Sequence, residues 1–245
     1  MRGLLTLVVT DLKLSLRNVI ATFFTFAFPV LMLLLFGAMY GNAPDPRSGL
    51  GIMDCAIPGY AVALILGSAG FMGLPIELAA RRQNGVIRRF RVTPLSTSAL
   101  LASLVSVNLV ASIAGTLVLV AVGALAWGAK LPVAPLALVP AFLLCAGSQF
   151  ALGMAIAGAL RSVRATLAVC MAIFYPMMFL SGGTIPVQYL PPALQKVTAF
   201  LPMSWAVTLL QDAWFGRGWD LRAVAVLLSV VALGGAVAAL LLRRE

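Results

Sequence analysis

Long stretches without a charged residue, separated by short charged breaks, constrain this chain more than any other feature. No acidic or basic side chain occurs from Asn18 to Pro44, or again from Cys55 to Ile76. An α-helix rises about 1.5 Å per residue, so about 20 residues cross the ~30 Å hydrocarbon core of a bilayer. The chain has 62% apolar and only 10% charged residues, whereas soluble domains average about 45–50% and 25%. We therefore predict an all-α integral membrane protein.

Charged and proline-containing breaks divide the chain into six predicted spans within one transmembrane domain, residues 1–245. A further segment, residues 2–18, precedes them with apolar side chains on one helical face and Lys13 and Arg17 on the other, which predicts an interfacial helix. Asp11 cuts its apolar run before it reaches the length of a signal-peptide core, so we expect the helix in the mature protein. The spans cover about 19–40, 56–80, 99–127, 135–160, 165–182 and 222–242.

The region between the fifth and sixth spans is broken by glycine and proline. Pro191 and Pro192 interrupt any straight helix, and the next uncharged run, 197–211, is shorter than a span and typical of a re-entrant or interfacial segment. We predict two short re-entrant helices within 184–215. The alternatives are an outside cap with no gating role and, less favoured, a carbonyl filter without the usual ring of charge. The functional interpretation is an outer gate whose breaks are Gly182, Gly183, Pro186 and Pro202.

The distribution of basic residues predicts the orientation. If the N-terminus is cytoplasmic, twelve of the 17 Lys and Arg residues lie on that side, as the positive-inside rule requires. We therefore expect both termini and the loop 81–96 to be cytoplasmic, and the glycine- and proline-rich region to open outward. The remaining five basic residues are Arg47, Lys130, Lys196, Arg217 and Arg222.

The longest polar break, Glu77–Pro94, combines charge with an apolar face. It contains an Asn84-Gly85 turn signal, and a helix there would carry Val86, Ile87 and Phe90 on one side, a surface suited to a partner's groove. Glu77 can pair with Arg81 four residues later. The alternative is a basic anchor at the lipid headgroups, which explains the arginines but not the apolar triplet. The arginines are Arg81, Arg82, Arg88, Arg89 and Arg91.

Residues for catalysis or metal binding are missing from the sequence. It contains no phosphate-binding loop, no nucleophile elbow and no histidine, and Cys55, Cys145 and Cys170 do not form a Cys-x-x-Cys pair. The six spans lack charged residues at their middles, where ion-coupled carriers usually place one. We therefore expect neither an enzyme nor a metal protein, and an energy source outside this chain. Positive-inside bias accounts for most of the basic charge, so no nucleic-acid partner is expected.

Three segments resemble one family. The Glu77–Pro94 break, with Glu77, Gly85 and the ending Thr93-Pro94-Leu95-Ser96, resembles the cytoplasmic loop of type-2 ABC-transporter permeases, bacterial exporters of drugs, lipids and polysaccharides. Residues 180–186 (LSGGTIP) and 201–205 (LPMSW) resemble the segment between that family's last two spans, and 152–161 is similar to its small-residue fourth span. One departure is Val86, where the family often has threonine after the glycine.

The resemblance implies a mechanism and partners. The loop 81–96 would form a coupling helix seated in a separate ATPase subunit, which would hold the ATP and Mg²⁺, while this chain binds no cofactor. The protein would pair with a second permease, most simply a copy of itself, in the bacterial inner membrane, and export an amphipathic drug, lipid or glycan carrier. The implied coupling residues are Glu77, Arg81, Arg82, Gly85, Val86, Ile87, Arg88, Arg89 and Phe90.

An apolar substrate path is predicted from residue type. Aromatic and methionine side chains suit an adaptable cavity for amphipathic molecules, although such residues more often face lipid or fill helix packing. The alternative function is a passive channel or secondary carrier that works without an ATPase. The path candidates are Phe24, Phe28, Met72, Phe174 and Met178.

Overall fold

The computed structural model describes residues 11–12, 22–44, 49–85, 97–160, 162–187 and 190–242. Six helices in this part are long and apolar enough to cross a membrane, α1 to α5 and α8, which confirms the predicted all-α membrane fold. The helices are α1 Phe23–Tyr40, α2 Ile52–Gln83, α3 Thr97–Trp127, α4 Pro135–Ala159, α5 Val163–Leu180, α6 Pro192–Thr198, α7 Pro202–Phe215 and α8 Leu221–Leu242.

The second helix, α2, is the centre of the bundle. Within its most apolar stretch 78% of the residues are buried, against 11% for α8 and 17% for α1. Two parts of it, Ala61–Leu66 and Ala69–Gly73, are wound as π-helix, a rare geometry often found at functional sites. Helices α1, α3, α4, α5 and α7 pack against α2, whereas α8 packs against α4 and α7. A displacement of α2 would therefore be felt by most of the bundle.

Glycines let the neighbours of α2 come close. An added Cβ at Gly67 would lie within 3 Å of Phe174 and Met203, and one at Gly73 within 2.5 Å of Asn108 Oδ1. At Gly153 of α4 it would lie 1.8 Å from the carbonyl oxygen of Gly70, so the two helices touch backbone to backbone. Small residues are the usual means of such close contact in membranes. Close approach of the neighbouring helices is therefore a role of the α2 glycines.

The helix ends differ by a few residues from the predicted spans. Helix α2 begins at Ile52, not at 56, because Asp54 caps it by accepting a hydrogen bond of 2.8 Å from the Gly51 amide. Its last turn contains Arg81 and Arg82, so the loop predicted to start at 81 starts after Gln83. Helix α5 runs over Val163–Leu180, not 165–182. The described ends of α3, α4 and α8 lie within two residues of the predicted ones.

The stretch predicted to hold two short helices, 184–215, does contain them, and α6 and α7 meet at an angle of 82°. Pro192 and Pro202 occupy the first turns of these helices, where a missing amide proton costs nothing. Met203 of α7 packs against Gly67, while Gln211 donates to the Cys55 carbonyl at 3.2 Å. Helix α7 therefore lies along α2 over roughly 12 Å of its own length, from Met203 to Gln211. Its position in a bilayer stays a prediction.

The predicted interfacial helix lies mostly outside the described residues. Asp11 and Leu12 are described, and both are helical. Asp11 is nearly fully buried, with 8% of its surface exposed.

Candidate coupling site and outer gate

The coupling loop leaves the bundle at a tight turn. The amide of Asn84 donates to the Ala80 carbonyl at 3.0 Å, and that of Gly85 donates to Arg82, also at 3.0 Å. Gly85 has φ +68°, the left-handed conformation that favours glycine, and an added Cβ would meet nothing within 4 Å among the described residues. The constraint on Gly85 is therefore its backbone conformation, and the predicted Asn84-Gly85 turn is confirmed.

Arg81 joins three parts of the chain at the base of this loop. Its Nη2 lies 3.0 Å from Asp11 Oδ1 and 2.5 Å from Glu77 Oε1, which confirms the predicted i,i+4 pair. Ser103 of α3 donates to Asp11 Oδ2 at 2.9 Å. The side chains of Arg81 and Asp11 are only 14% and 10% exposed. Burial strengthens such a pair electrostatically but makes the loss of either partner costly.

Arg82 joins the loop base to α4. Its Nη1 donates to the carbonyl oxygens of Ala157 and Leu160, the latter at 3.3 Å. These carbonyls belong to the C-terminal turn and cap of α4, where no further helical amide is available to them and the helix dipole favours a cation. Arg82 therefore caps α4 from α2.

The loop base is thus built from contacts within the chain. Arg81 and Arg82, both predicted to reach a partner, make their described contacts with Asp11, Glu77 and the end of α4. Their contact with an ATPase stays a prediction. The other coupling residues lie outside the described part of the chain: Val86, Ile87, Arg88, Arg89 and Phe90.

Asp11 was not among the predicted site residues. In the sequence it stands out only as a break in an apolar run. The available signal was its rarity, since the chain has seven acidic residues and this one stands in a helix predicted to lie on the same side of the membrane as the basic loop.

The predicted gate segment has a close contact with α2. Gly182 adopts φ +80°, and an added Cβ at Gly183 would lie 2.6 Å from Ala63 Cβ and 2.8 Å from the Gly59 carbonyl oxygen. The hydroxyl of Ser181 donates to the Met178 carbonyl at 3.1 Å and accepts from the Gly183 amide at 3.2 Å. The two glycines thus have separate roles, a left-handed turn at Gly182 and a close approach at Gly183.

The two prolines assigned to the gate lie on either side of α6. Pro202 is in the first turn of α7, and the half-buried Pro186 lies in the connection after the glycines. Gating by this segment stays a prediction.

A buried polar cluster lies at the opposite end of the bundle from the loop base, and no sequence pattern predicted it. Asp54 is 2% exposed and accepts from Asn42 Nδ2 at 3.2 Å and from the Lys130 amide at 2.9 Å. Asn42 Nδ2 also donates to the Trp127 carbonyl. Trp214 of α7 donates to the Lys130 carbonyl at 3.1 Å. This cluster ties the ends of α1, α2, α3 and α7 together.

The five path candidates lie in two separate places. On α1, the rings of Phe24 and Phe28 are 5.5 Å apart and partly exposed. In the core, Phe174 and Met178 are buried, Met72 is half-buried, and the Phe174 ring lies 6.1 Å from that of Phe71. Their role in a substrate path stays a prediction.

The six long helices lie within the described part of the chain. Their charged residues occur towards the helix ends. They are Asp54, Glu77, Arg81 and Arg82 in α2, Arg164 in α5 and Arg222 in α8. Near the middle of α4, Gln149 is fully buried, and neither amide atom has a hydrogen-bond partner among the described residues. Away from their ends, the six long helices thus carry only neutral polar groups.

Six apolar helices, with the buried, glycine-rich α2 at their centre, define a multi-pass α-helical membrane protein. Comparison with known families makes this specific: the model described as "ABC-2 type transporter" matches residues 2–215, and the chain belongs to that family. It is therefore an ABC-transporter permease. Permeases of this family are generally non-catalytic and work with an ATP-binding subunit.

A curated relative shows a local similarity. The chain is 40% identical over 45 residues to Nodulation protein J of Rhizobium leguminosarum bv. viciae. The match covers 18% of this chain and 17% of that protein, so the matched region spans under a fifth of the relative's length.

Proposed function

We propose that this chain is the transmembrane subunit of an ATP-driven exporter that moves an amphipathic drug, lipid or glycan carrier outward. The observation that carries the proposal is the loop base, where Arg81 and Arg82 fix the end of α2 to Asp11 and to α4. If the loop were attached to the bundle by one flexible connection, its displacement would not move the helices. Because its base is in contact with several elements, displacement of the loop moves those elements too.

The coupling step follows from this attachment. A separate ATPase would grip the apolar side of Val86, Ile87 and Phe90, and changes in its groove on hydrolysis would shift the loop. Because α2 is in contact with most other helices, the shift would move them as rigid bodies. The ATP and Mg²⁺ would be bound by the partner, and this chain would hydrolyse nothing.

The outer gate would respond at the far end of α2. In the structure Gly183 rests against Gly59 and Ala63. A displacement of α2 along its axis would separate these backbones and free the segment 184–201. The proposed gate opening is therefore the loss of the Gly183–Gly59 contact.

The positions of the charged residues support an energy source outside this chain. No acidic or basic side chain lies near the middle of the six long helices, where coupling ions are usually bound. This supports an external supply of energy over a secondary carrier.

We further propose that the functional unit contains two copies of the chain in the bacterial inner membrane, with the loop and both termini cytoplasmic. Purified protein measured by light scattering in detergent should have the protein mass of a dimer. A monomer that also binds one ATPase and transports would contradict this part of the proposal.

A transport assay in vesicles distinguishes an ATP-driven exporter from a passive channel or secondary carrier. Permease reconstituted with its ATPase should move a fluorescent amphipathic dye such as rhodamine 6G only when ATP is supplied. A passive channel or secondary carrier would move the dye equally well with the ATPase left out, and that result would contradict the proposal.

A further inference from the structure

Pro75 of α2 leaves a backbone carbonyl in the bundle interior without its usual helical donor. The stretch Ala69–Gly73 is wound as π-helix, and the Leu74 amide donates to the Ala69 carbonyl, five residues back. In the same pattern the next nitrogen, that of Pro75, would donate to the Gly70 carbonyl, but proline has no amide proton. The Gly70 oxygen therefore keeps a lone pair that this winding does not use.

The Gly70 carbonyl is directed towards α4. An added Cβ at Gly153 would collide with the Gly70 carbonyl oxygen, so the Cα hydrogens of Gly153 face that oxygen. A Cα–H···O contact of this kind is weaker than a hydrogen bond from an amide. Gly153 thus makes room for the carbonyl but offers it no side-chain donor.

An amide donor lies one helical turn away on the same face of α4. Gln149 precedes Gly153 by four residues, and an added Cβ at Gly70 would lie 3.0 Å from Gln149 Cβ. Gln149 is fully buried, and its Nε2 and Oε1 have no hydrogen-bond partner in the part of the chain that the structure describes. Burying an amide without a partner is costly. A donor and an acceptor therefore lie close together in the bundle interior without bonding to each other.

A shift of α2 along α4 would bring the two groups together. The helices run in the same direction, since Gly70 lies beside 149–153 and Arg82, further along α2, contacts the end of α4. Movement of α2 towards the start of α4 would carry the Gly70 carbonyl from Gly153 to Gln149. Because the glutamine side chain is long, the shift needed is less than one helical turn, ~5.4 Å. Packed helices switch by shifts of up to this size.

The contact at the loop end of α2 is compatible with the same shift. Arg82 donates to the carbonyls of both Ala157 and Leu160. After the shift it would keep the Ala157 carbonyl, which is nearer to the start of α4, and give up that of Leu160. The capping contact would therefore change partners without being lost.

We propose that Gln149 is a positioning residue for transport: once α2 has shifted along α4, its Nε2 donates to the Gly70 carbonyl and stabilises the shifted arrangement. The inference rests on the proposed export function, in which a shift of α2 along its axis separates Gly183 from Gly59. The unpaired amide disfavours the arrangement seen in the structure, and the new hydrogen bond favours the other. Both effects act in the direction of gate opening.

ATP-driven transport of rhodamine 6G by the permease–ATPase complex in vesicles tests the proposal. Gln149→Leu has a similar volume but no donor, so it should hold α2 in the arrangement seen here and lower the transport rate about tenfold. Its unfolding temperature should not fall below that of wild type. Gln149→Met, a second side chain without a donor, should behave in the same way. Ser148→Ala is the matched control and should transport like wild type, because the Ser148 hydroxyl bonds within α4, to Cys145.

A distance between spin labels reports the shift itself. Ile52 and Leu136 are exposed residues in the first turns of α2 and α4, and both can be labelled in a chain whose native cysteines are replaced by alanine. In the complex with the ATPase, addition of ATP should produce a second population of distances between the labels. Gln149→Leu should reduce that population about tenfold.

Three results would overturn the proposal. The first is a transport rate equal to that of wild type in both Gln149→Leu and Gln149→Met. The second is a loss of transport together with a lowered unfolding temperature, which would show a structural role. The third is a label distance that ATP does not change in a transporting wild type. Absence of ATP-driven transport by wild type would instead contradict the export function, and this proposal with it.

Discussion

The Arg81 guanidinium and the Asp11 carboxylate lie 3.0 Å apart, and both side chains are largely buried. This pair joins the N-terminal segment to the end of α2, with Ser103 of α3 donating to the same carboxylate. It is therefore the point at which the base of the coupling loop contacts two other elements of the chain.

Replacing Asp11 by Ala should leave the buried guanidinium of Arg81 with Glu77 as its one charged partner among the described residues, and should lower the free energy of unfolding by about 3 kcal/mol. The matched control is Asp212→Ala, since the Asp212–Arg217 pair is longer, at 3.8 Å, and Arg217 is 54% exposed. The control should cost about 0–1 kcal/mol. Thermal unfolding in detergent measures both, and equal effects would show that the Asp11 pair contributes no more than an exposed one.

The backbone contact between α2 and α4 gives a steric prediction. Gly153→Ala places a Cβ 1.8 Å from the Gly70 carbonyl oxygen, so the helices must separate and the folded yield should fall sharply. In Gly147→Ala, on the same helix, the nearest atom is Val231 Cγ2 at 3.5 Å, an ordinary contact, and the yield should be normal. Size-exclusion profiles of the two variants check this, and a normal profile for Gly153→Ala would disprove the close crossing.

Asp54 should contribute more to the free energy of unfolding than an ordinary helix cap does. Asp54→Ala removes the acceptor for Gly51, Asn42 and Lys130, and buried unpaired donors cost about 1–3 kcal/mol each. Asp220→Ala removes an exposed acceptor for the Arg222 amide and should cost about 1 kcal/mol. Unfolding midpoints in urea compare them. A smaller loss for Asp54→Ala than for Asp220→Ala would contradict the buried cluster.

Replacing Gln149 should stabilise the protein, whereas the replacements above destabilise it. Its buried amide has no hydrogen-bond partner among the described residues, so Gln149→Leu, which has a similar volume, should raise the free energy of unfolding by about 1–3 kcal/mol. Ser148→Ala is the control, because the Ser148 hydroxyl donates to the Cys145 carbonyl at 2.8 Å and its loss should not stabilise. A destabilised Gln149→Leu would show that the amide has a partner.

The sequence predicts the six spans well because length and lack of charge are local properties of the chain. It also predicts the turn at Gly85 and the pair of Glu77 with Arg81, whose partners are at most four residues apart. The contacts that organise the loop base join distant residues, as Asp11 does with Arg81 and Arg82 with Ala157. Periodicity and spacing carry no information about such pairs.

The gate segment shows the same division. The short helices α6 and α7 follow from their prolines, but the approach of Gly183 to Gly59 depends on how α5 and α2 pack. Likewise, asparagine is a residue type typical of loops. In the structure, however, Asn42 donates hydrogen bonds to the Asp54 carboxylate and to the Trp127 carbonyl.

Co-purification with the ATPase subunit tests the central claim most directly, since it needs no knowledge of the substrate. We expect wild type to retain the ATPase, and Phe90→Asp and Gly85→Pro to lose it while still inserting in the membrane. The control is Trp219→Asp, an exposed aromatic residue before the start of α8, at the opposite end from the loop, which should retain the ATPase. Full retention by Phe90→Asp would contradict coupling through this loop.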